Sequence, residues 1–94
     1  MKYKLADLHD GTLVGVDFEW ETGKLVFRVR LTEREVEIVM HDVTALECSR
    51  MFPWGESISL NDVSLSEESN QRELRVEMQS GDVLKALGKT VDVV

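Results

Sequence analysis

Val14-Gly15-Val16-Asp17-Phe18-Glu19-Trp20 and, beyond Glu21-Thr22-Gly23-Lys24, Leu25-Val26-Phe27-Arg28-Val29-Arg30-Leu31 decide the fold class. Apolar side chains fall on every second position: Val14, Val16, Phe18 and Trp20, then Leu25, Phe27, Val29 and Leu31. Asp17, Glu19, Arg28 and Arg30 stand between them. A β-strand turns successive side chains to opposite faces, so this pattern predicts two strands with one buried face each. The polar stretch between them is short and contains a glycine, which suits a hairpin.

The same period recurs along the chain. Val36, Ile38 and Met40 predict a third strand, with Glu35 and Glu37 outward. Leu74, Val76 and Met78 predict another, and Ser80-Gly81-Asp82 then turns the chain into a final hairpin strand over 83–87. The polar run 67–70 marks a reversal that pairs 58–65 with 74–78. Within 58–65, Ile58 and Leu60 share one parity while Val63 and Leu65 share the other, so a bulge is expected at Asn61-Asp62. Residues 3–8, with Tyr3, Leu5 and Leu8, read as a strand or one helical turn. Residues 43–51 read as a strand on the alternation of Leu46 and Cys48, although Val43, Leu46 and Arg50 also suit a helix. The expectation is one all-β domain over 1–94. Six to eight antiparallel strands in meander order form a small barrel or sandwich, with room for one short helix. Its core is expected to hold Val14, Val16, Phe18, Phe27, Val29, Ile38, Leu74 and Val76.

His9-Asp10-Gly11-Thr12-Leu13 is echoed by His41-Asp42-Val43-Thr44-Ala45, and partly by Asn61-Asp62-Val63-Ser64-Leu65. Each places an aspartate just before a β-type run. Aspartate hydrogen-bonds nearby backbone in turns, so the echo reads as repeated punctuation rather than a solenoid.

Composition bounds the rest. Hydrophobic residues make up 43% and charged residues 31% of the 94 positions, an ordinary globular balance. One proline and six glycines leave no evident linker. The net charge is −7, with seven basic against ten acidic residues in 1–50 and four against eight in 51–94. No basic half, arm or stripe exists, so neither nucleic acid nor an anionic membrane surface is an expected partner. A basic protein would be attracted, although a surplus of carboxylates also simply keeps a small domain soluble. A single cysteine, Cys48, forbids an internal disulfide and suits a reducing compartment. The first ten residues hold two lysines and no apolar core of a secretory leader, so a cytoplasmic location is expected.

Candidate chemistry is sparse. A metal centre needs several convergent ligands, and only His9 and His41 supply imidazole nitrogen. Cys48 lacks an adjacent base in sequence, and a free cysteine is usually a buried apolar group, so a core position is expected for it. Paired carboxylates abound among eighteen acids, but none sits in a recognisable acid–base setting. A hydrolase built on His41, Cys48 and a carboxylate is the weakest reading. No enzyme activity, cofactor or metal is expected.

Met51-Phe52-Pro53-Trp54-Gly55-Glu56-Ser57 is the least ordinary stretch. It gathers large apolar side chains around the only proline, in a predicted loop. The favoured reading makes Trp54 a plug folded into one end of the β-core. The functional reading makes Met51, Phe52, Pro53 and Trp54 an interaction loop, since such residues anchor interfaces.

Pro53-Trp54-Gly55-Glu56-Ser57, then Leu60-Asn61, then Val76-Glu77-Met78-Gln79-Ser80-Gly81-Asp82, resembles a pattern of small uncharacterised bacterial single-domain β proteins. The resemblance covers roughly the second half of the chain. It implies a bacterial, cytoplasmic, one-domain protein and carries over no catalytic or binding residue. The functional expectation is a non-enzymatic protein-interaction module that binds another protein, basic in character, or a second copy of itself. The alternative is a small-ligand binder whose pocket is lined by Trp20, Phe27 and Trp54.

Overall fold

The two segments with the strictest alternation form one hairpin of a computed structural model that describes residues 4–94. β1 (Thr12–Glu19) pairs antiparallel with β2 (Lys24–Arg30), Phe18 opposite Leu25 and Val16 opposite Phe27. Gly23 closes the loop at φ 71°, donating its N–H to the Glu19 carbonyl at 2.9 Å. β3 (Glu35–His41) continues the sheet from β2, with Ile38 opposite Phe27. β4 (Ala45–Glu47) leaves for a second sheet. There β5 (Leu60–Glu68), β6 (Gln71–Met78) and β7 (Val83–Gly88) form a three-strand meander, and β4 joins its β7 edge. β8 (Thr90–Val93) returns to the first sheet beside β3.

The result is two four-stranded antiparallel sheets, ordered β1-β2-β3-β8 and β4-β7-β6-β5. It is a sandwich rather than a closed barrel. Meander order holds within β1–β3 and within β5–β7, while β4 and β8 exchange sheets. The segment 83–87 is therefore not the last strand. Val91 and Val93 alternate as a strand should, but four residues are too short to stand out. Leu5–Leu8 forms a single 3₁₀ turn that buries Leu8; the expectation for Tyr3 lies outside the described residues.

One core joins the sheets. Leu25, Phe27, Val29, Val36, Ile38 and Met40 face Leu60, Val63, Leu74, Val76, Leu84 and Ala86 in one apolar cluster. At roughly 1.5–3 kcal/mol for each large side chain removed from water, this burial is the main force holding the layers together. Of the expected core, Phe27, Val29, Ile38, Leu74 and Val76 are buried and Val16 is half-buried.

Val14 and Phe18 are corrections, since both are 37% exposed. At Val14 the cause is a bulge. The register shifts between Leu13 and Gly15, so Leu13 takes the inward place opposite Val29 and Val14 becomes the extra residue. Gly15 then leaves room for the Arg28 guanidinium, which a Cβ there would meet at 2.4 Å. Arg28 Nε lies 3.1 Å from Asp17 Oδ2. Its N–H is not aimed at an acceptor, so the contact is an ion pair rather than a hydrogen bond. At Phe18 the inward parity is right, but β1 is an edge strand and the sandwich is open beside it.

The one expected bulge, at Asn61-Asp62, is present as a register shift between Leu60 and Asp62, and it lets Leu60 and Val63 both reach the core. The His-Asp echo is turn chemistry: Asp10 and Asp42 both adopt left-handed φ, 66° and 54°, just ahead of β1 and β4. The reversal at 67–70 closes on Ser69 and Asn70, both at positive φ, between the paired residues Glu68 and Gln71.

Candidate functional site

The loop between β4 and β5 crosses one end of the sandwich and is tied down by one carboxylate. Asp82, at the β6–β7 turn, is buried. Its oxygens accept hydrogen bonds from Ser80 Oγ at 2.6 Å and Ser49 Oγ at 2.8 Å. They also accept from the Met51 N–H at 2.7 Å and the Phe52 N–H at 2.9 Å. The Ser80 hydroxyl first, and then the two loop N–H groups and Ser49, hold its pKa down at about 2 against the opposing effect of burial. Asp82 therefore stays an anion whose four donors come from two separate segments.

Around that anchor the loop makes a tight turn. Phe52 stands at φ 53°, and its carbonyl accepts the Gly55 N–H at 3.0 Å. The Trp54 N–H donates to the Ser80 carbonyl at 2.9 Å. A Cβ on Gly81 would stand 2.7 Å from Trp54 Cδ2 and 2.9 Å from Pro53 Cγ, so the indole and the proline ring rest on bare backbone. The Arg50 guanidinium sits 4.7 Å from the centre of the Phe52 ring, within cation–π range.

Trp54 is not a plug. It is 73% exposed, with Met51 at 80% and Ile58 at 63% nearby in the chain. The proline and the left-handed turn lay the ring on the backbone of the β6–β7 turn at Gly81. Of the four candidate loop residues, Phe52 alone lines the adjoining groove; Met51, Pro53 and Trp54 are exposed and do not line it.

That groove, of about 290 Å³, runs between the β1 edge and the loop. Leu13 and Val16 form one wall; Cys48, Phe52, Ile58 and Leu84 contribute to the other. A second groove, of about 420 Å³, continues along the same edge, between Phe18 and Trp20 on one side and Val43 to Leu46 on the other. Phe18 and Trp20 meet edge to face, centroids 6.0 Å apart and planes at 82°. Trp20 itself lies in the β1–β2 loop and is 89% exposed.

Cys48 is a correction too. It faces the groove wall just beyond the end of β4 and is exposed, not buried in the core. Desolvation by the surrounding wall raises its thiol pKa, the opposite of what activates a nucleophile. No histidine lines either groove. His41 ends β3 opposite Thr90, and His9 hydrogen-bonds the Asn61 carbonyl through Nδ1 with Asp10 Oδ1 3.5 Å from Nε2. Among the described residues, no three His, Cys, Asp or Glu side chains gather as a metal site. Trp20, Phe27 and Trp54 do not share one pocket: Phe27 is buried between the sheets, Trp20 lines the second groove and Trp54 neither.

Sequence reasoning overlooked Leu13, Ile58 and Asp82. Asp82 carried a signal, since Ser-Gly-Asp marks a turn, but its reach to residues 49–52 is a tertiary contact. Compared with known proteins, the chain matches no family model and no curated protein. Among the described residues, no helix is long and apolar enough to cross a membrane.

Proposed function

We propose that this chain is a non-enzymatic interaction module of a bacterial cytoplasm, and that it binds a basic partner protein through the 51–58 loop and the groove beside it. One observation carries the reading: Met51, Trp54 and Ile58 are held in solvent on a loop that Asp82 pins to the scaffold. Apolar rings exposed on a mobile loop lose entropy when they bind. A ring already fixed on Gly81 loses less, which is the property of an interface anchor. The net charge of −7, with Glu47 and Glu56 exposed beside the loop, favours a basic partner.

The test is Trp54→Ala. Its unfolding free energy should stay within about 1 kcal/mol of the parent, because the ring is mostly in water. Association with a partner identified by cross-linking, then remeasured between purified proteins, should weaken by about 2 kcal/mol or more. Unchanged association would overturn the loop as the binding element. Saturable uptake of a small apolar molecule, quenched by Phe52→Ala and indifferent to Trp54→Ala, would favour the ligand-binding reading instead.

A further inference from the structure

We infer that the β1 edge accepts an extended strand from the partner, which completes the sheet with apolar side chains in the two grooves and basic ones between them. The inference rests on the interaction-module reading and names its partner segment.

The backbone supplies the first argument. β1 is the edge of its sheet, and its outer side is paired only at its start. Thr12 bridges Ser59, the Leu13 N–H donates to the Ile58 carbonyl at 2.8 Å, and the Leu60 N–H donates to the Gly11 carbonyl at 2.8 Å. A short antiparallel ladder thus begins on this edge and stops where the chain turns away. Outward and inward groups alternate along a strand, and the extra residue Val14 shifts the count by one. Val16 and Phe18 therefore aim N–H and C=O outward, where no partner is found among the described residues. The Glu19 carbonyl, pointing inward to Gly23, agrees with that count.

The side chains supply the second. A strand sends alternate residues to one face, about 6.5–7 Å apart. Two grooves lie in succession along this edge, the first walled by Leu13 and Val16 and the second by Phe18 and Trp20. An incoming strand would set one apolar side chain in each.

Charge supplies the third. Glu19, Glu21, Asp42 and Glu47 are exposed and adjoin the groove-lining residues in sequence; against these four acids stand Lys24, paired opposite Glu19, and Arg50, which lines the first groove with its guanidinium over the Phe52 ring. Like charges disfavour a second copy of this acidic chain and favour a strand with Lys or Arg between its apolar residues.

The experiment selects random octapeptides displayed on phage against the whole protein, then titrates the consensus peptide by amide-resolved NMR with hydrogen exchange. Selection should enrich alternating apolar and basic residues, and the peptide should slow exchange at Val16 and Phe18 at least tenfold. Val16→Pro removes an outward N–H without removing a bond to β2. It and Phe18→Lys should each weaken the peptide at least tenfold, with the melt showing which variants remain folded. A peptide that binds but protects only residues 51–58 would overturn strand addition and leave the interaction module standing. Enrichment of helix-forming peptides, or of none, would overturn it as well, while Trp54→Ala tests the module independently.

Discussion

Phe27 and Phe18 face the same space between the sheets from neighbouring strands, yet one is 1% exposed and the other 37%. Phe27 lies at the centre of its sheet, flanked by Val16 on β1 and Ile38 on β3, and the second sheet covers it. Phe18 has β2 on one side and open groove on the other. Residue type and parity are the same; position relative to the edge makes the difference. The centre of the sandwich holds the fold together, and the β1 side is where apolar surface is left for something else.

Truncating the two rings gives the largest expected contrast. Phe27→Ala should cost about 3–5 kcal/mol in a denaturant melt, because a buried ring leaves a cavity that the two sheets cannot close. Phe18→Ala should cost about 1–2 kcal/mol, since part of the ring already meets water. Equal losses would mean that the β1 side is as tightly covered as the centre and that the second groove is not open.

That contrast also shows what the sequence could reveal. β2 and β6 alternate because each has a strand on both sides and one face against the other sheet, so side-chain parity settles burial along them, while on β3 Val39 is buried between Ile38 and Met40 against the parity. On β1 the same rule fails twice. The Val14 bulge exchanges Val14 for Leu13, and nothing in the alternation of Val14, Val16 and Phe18 announces it. The face switch at Asn61-Asp62 was legible because apolar residues sit on both sides of it with opposite parity. Trp54 was visible as unusual, but its direction depends on Gly81, Ser80 and Asp82, more than twenty-five residues on, and long-range anchoring leaves no local period to read.

Acid should loosen the loop side before it loosens the centre. The folded pKa of Asp82 is lowered to about 2, below the ordinary carboxylate value of about 3.9 in an unfolded chain. A depressed pKa contributes stability that is complete above the unfolded value and is lost as pH falls through the folded one, so the window lies between about 4 and 2. The protection of the Met51 and Phe52 amides, measured against their intrinsic exchange rates, should fall across that window. In Asp82→Asn the anion is gone at every pH, so the two amides should exchange fast at neutral pH and the acid dependence should disappear. Protection that is retained and independent of pH in that variant would show that the loop is held by the Trp54–Ser80 bond and the ring on Gly81 without the carboxylate.

The smallest effect is expected at Trp20, and it sharpens the comparison because its ring is as large as any in the molecule. The hairpin that carries it is closed without it. Gly23 bonds the Glu19 carbonyl, the Val43 N–H reaches the Gly23 carbonyl at 3.0 Å, and Thr22 Oγ1 donates to Glu19 Oε1 at 2.8 Å. The indole itself is 89% exposed and touches the ring of Phe18 edge to face. An exposed aromatic pair of this geometry contributes about 0.5–1.5 kcal/mol at most, and exposed substitutions usually stay within about 0.5 kcal/mol. Trp20→Ala should therefore leave the denaturant midpoint almost unmoved. A loss above about 1.5 kcal/mol would mean that the indole folds down onto Leu46 and closes the second groove. In that case Trp20 would belong with Phe27 to the covered part of the core, and an incoming strand would have to displace it before it could reach Phe18.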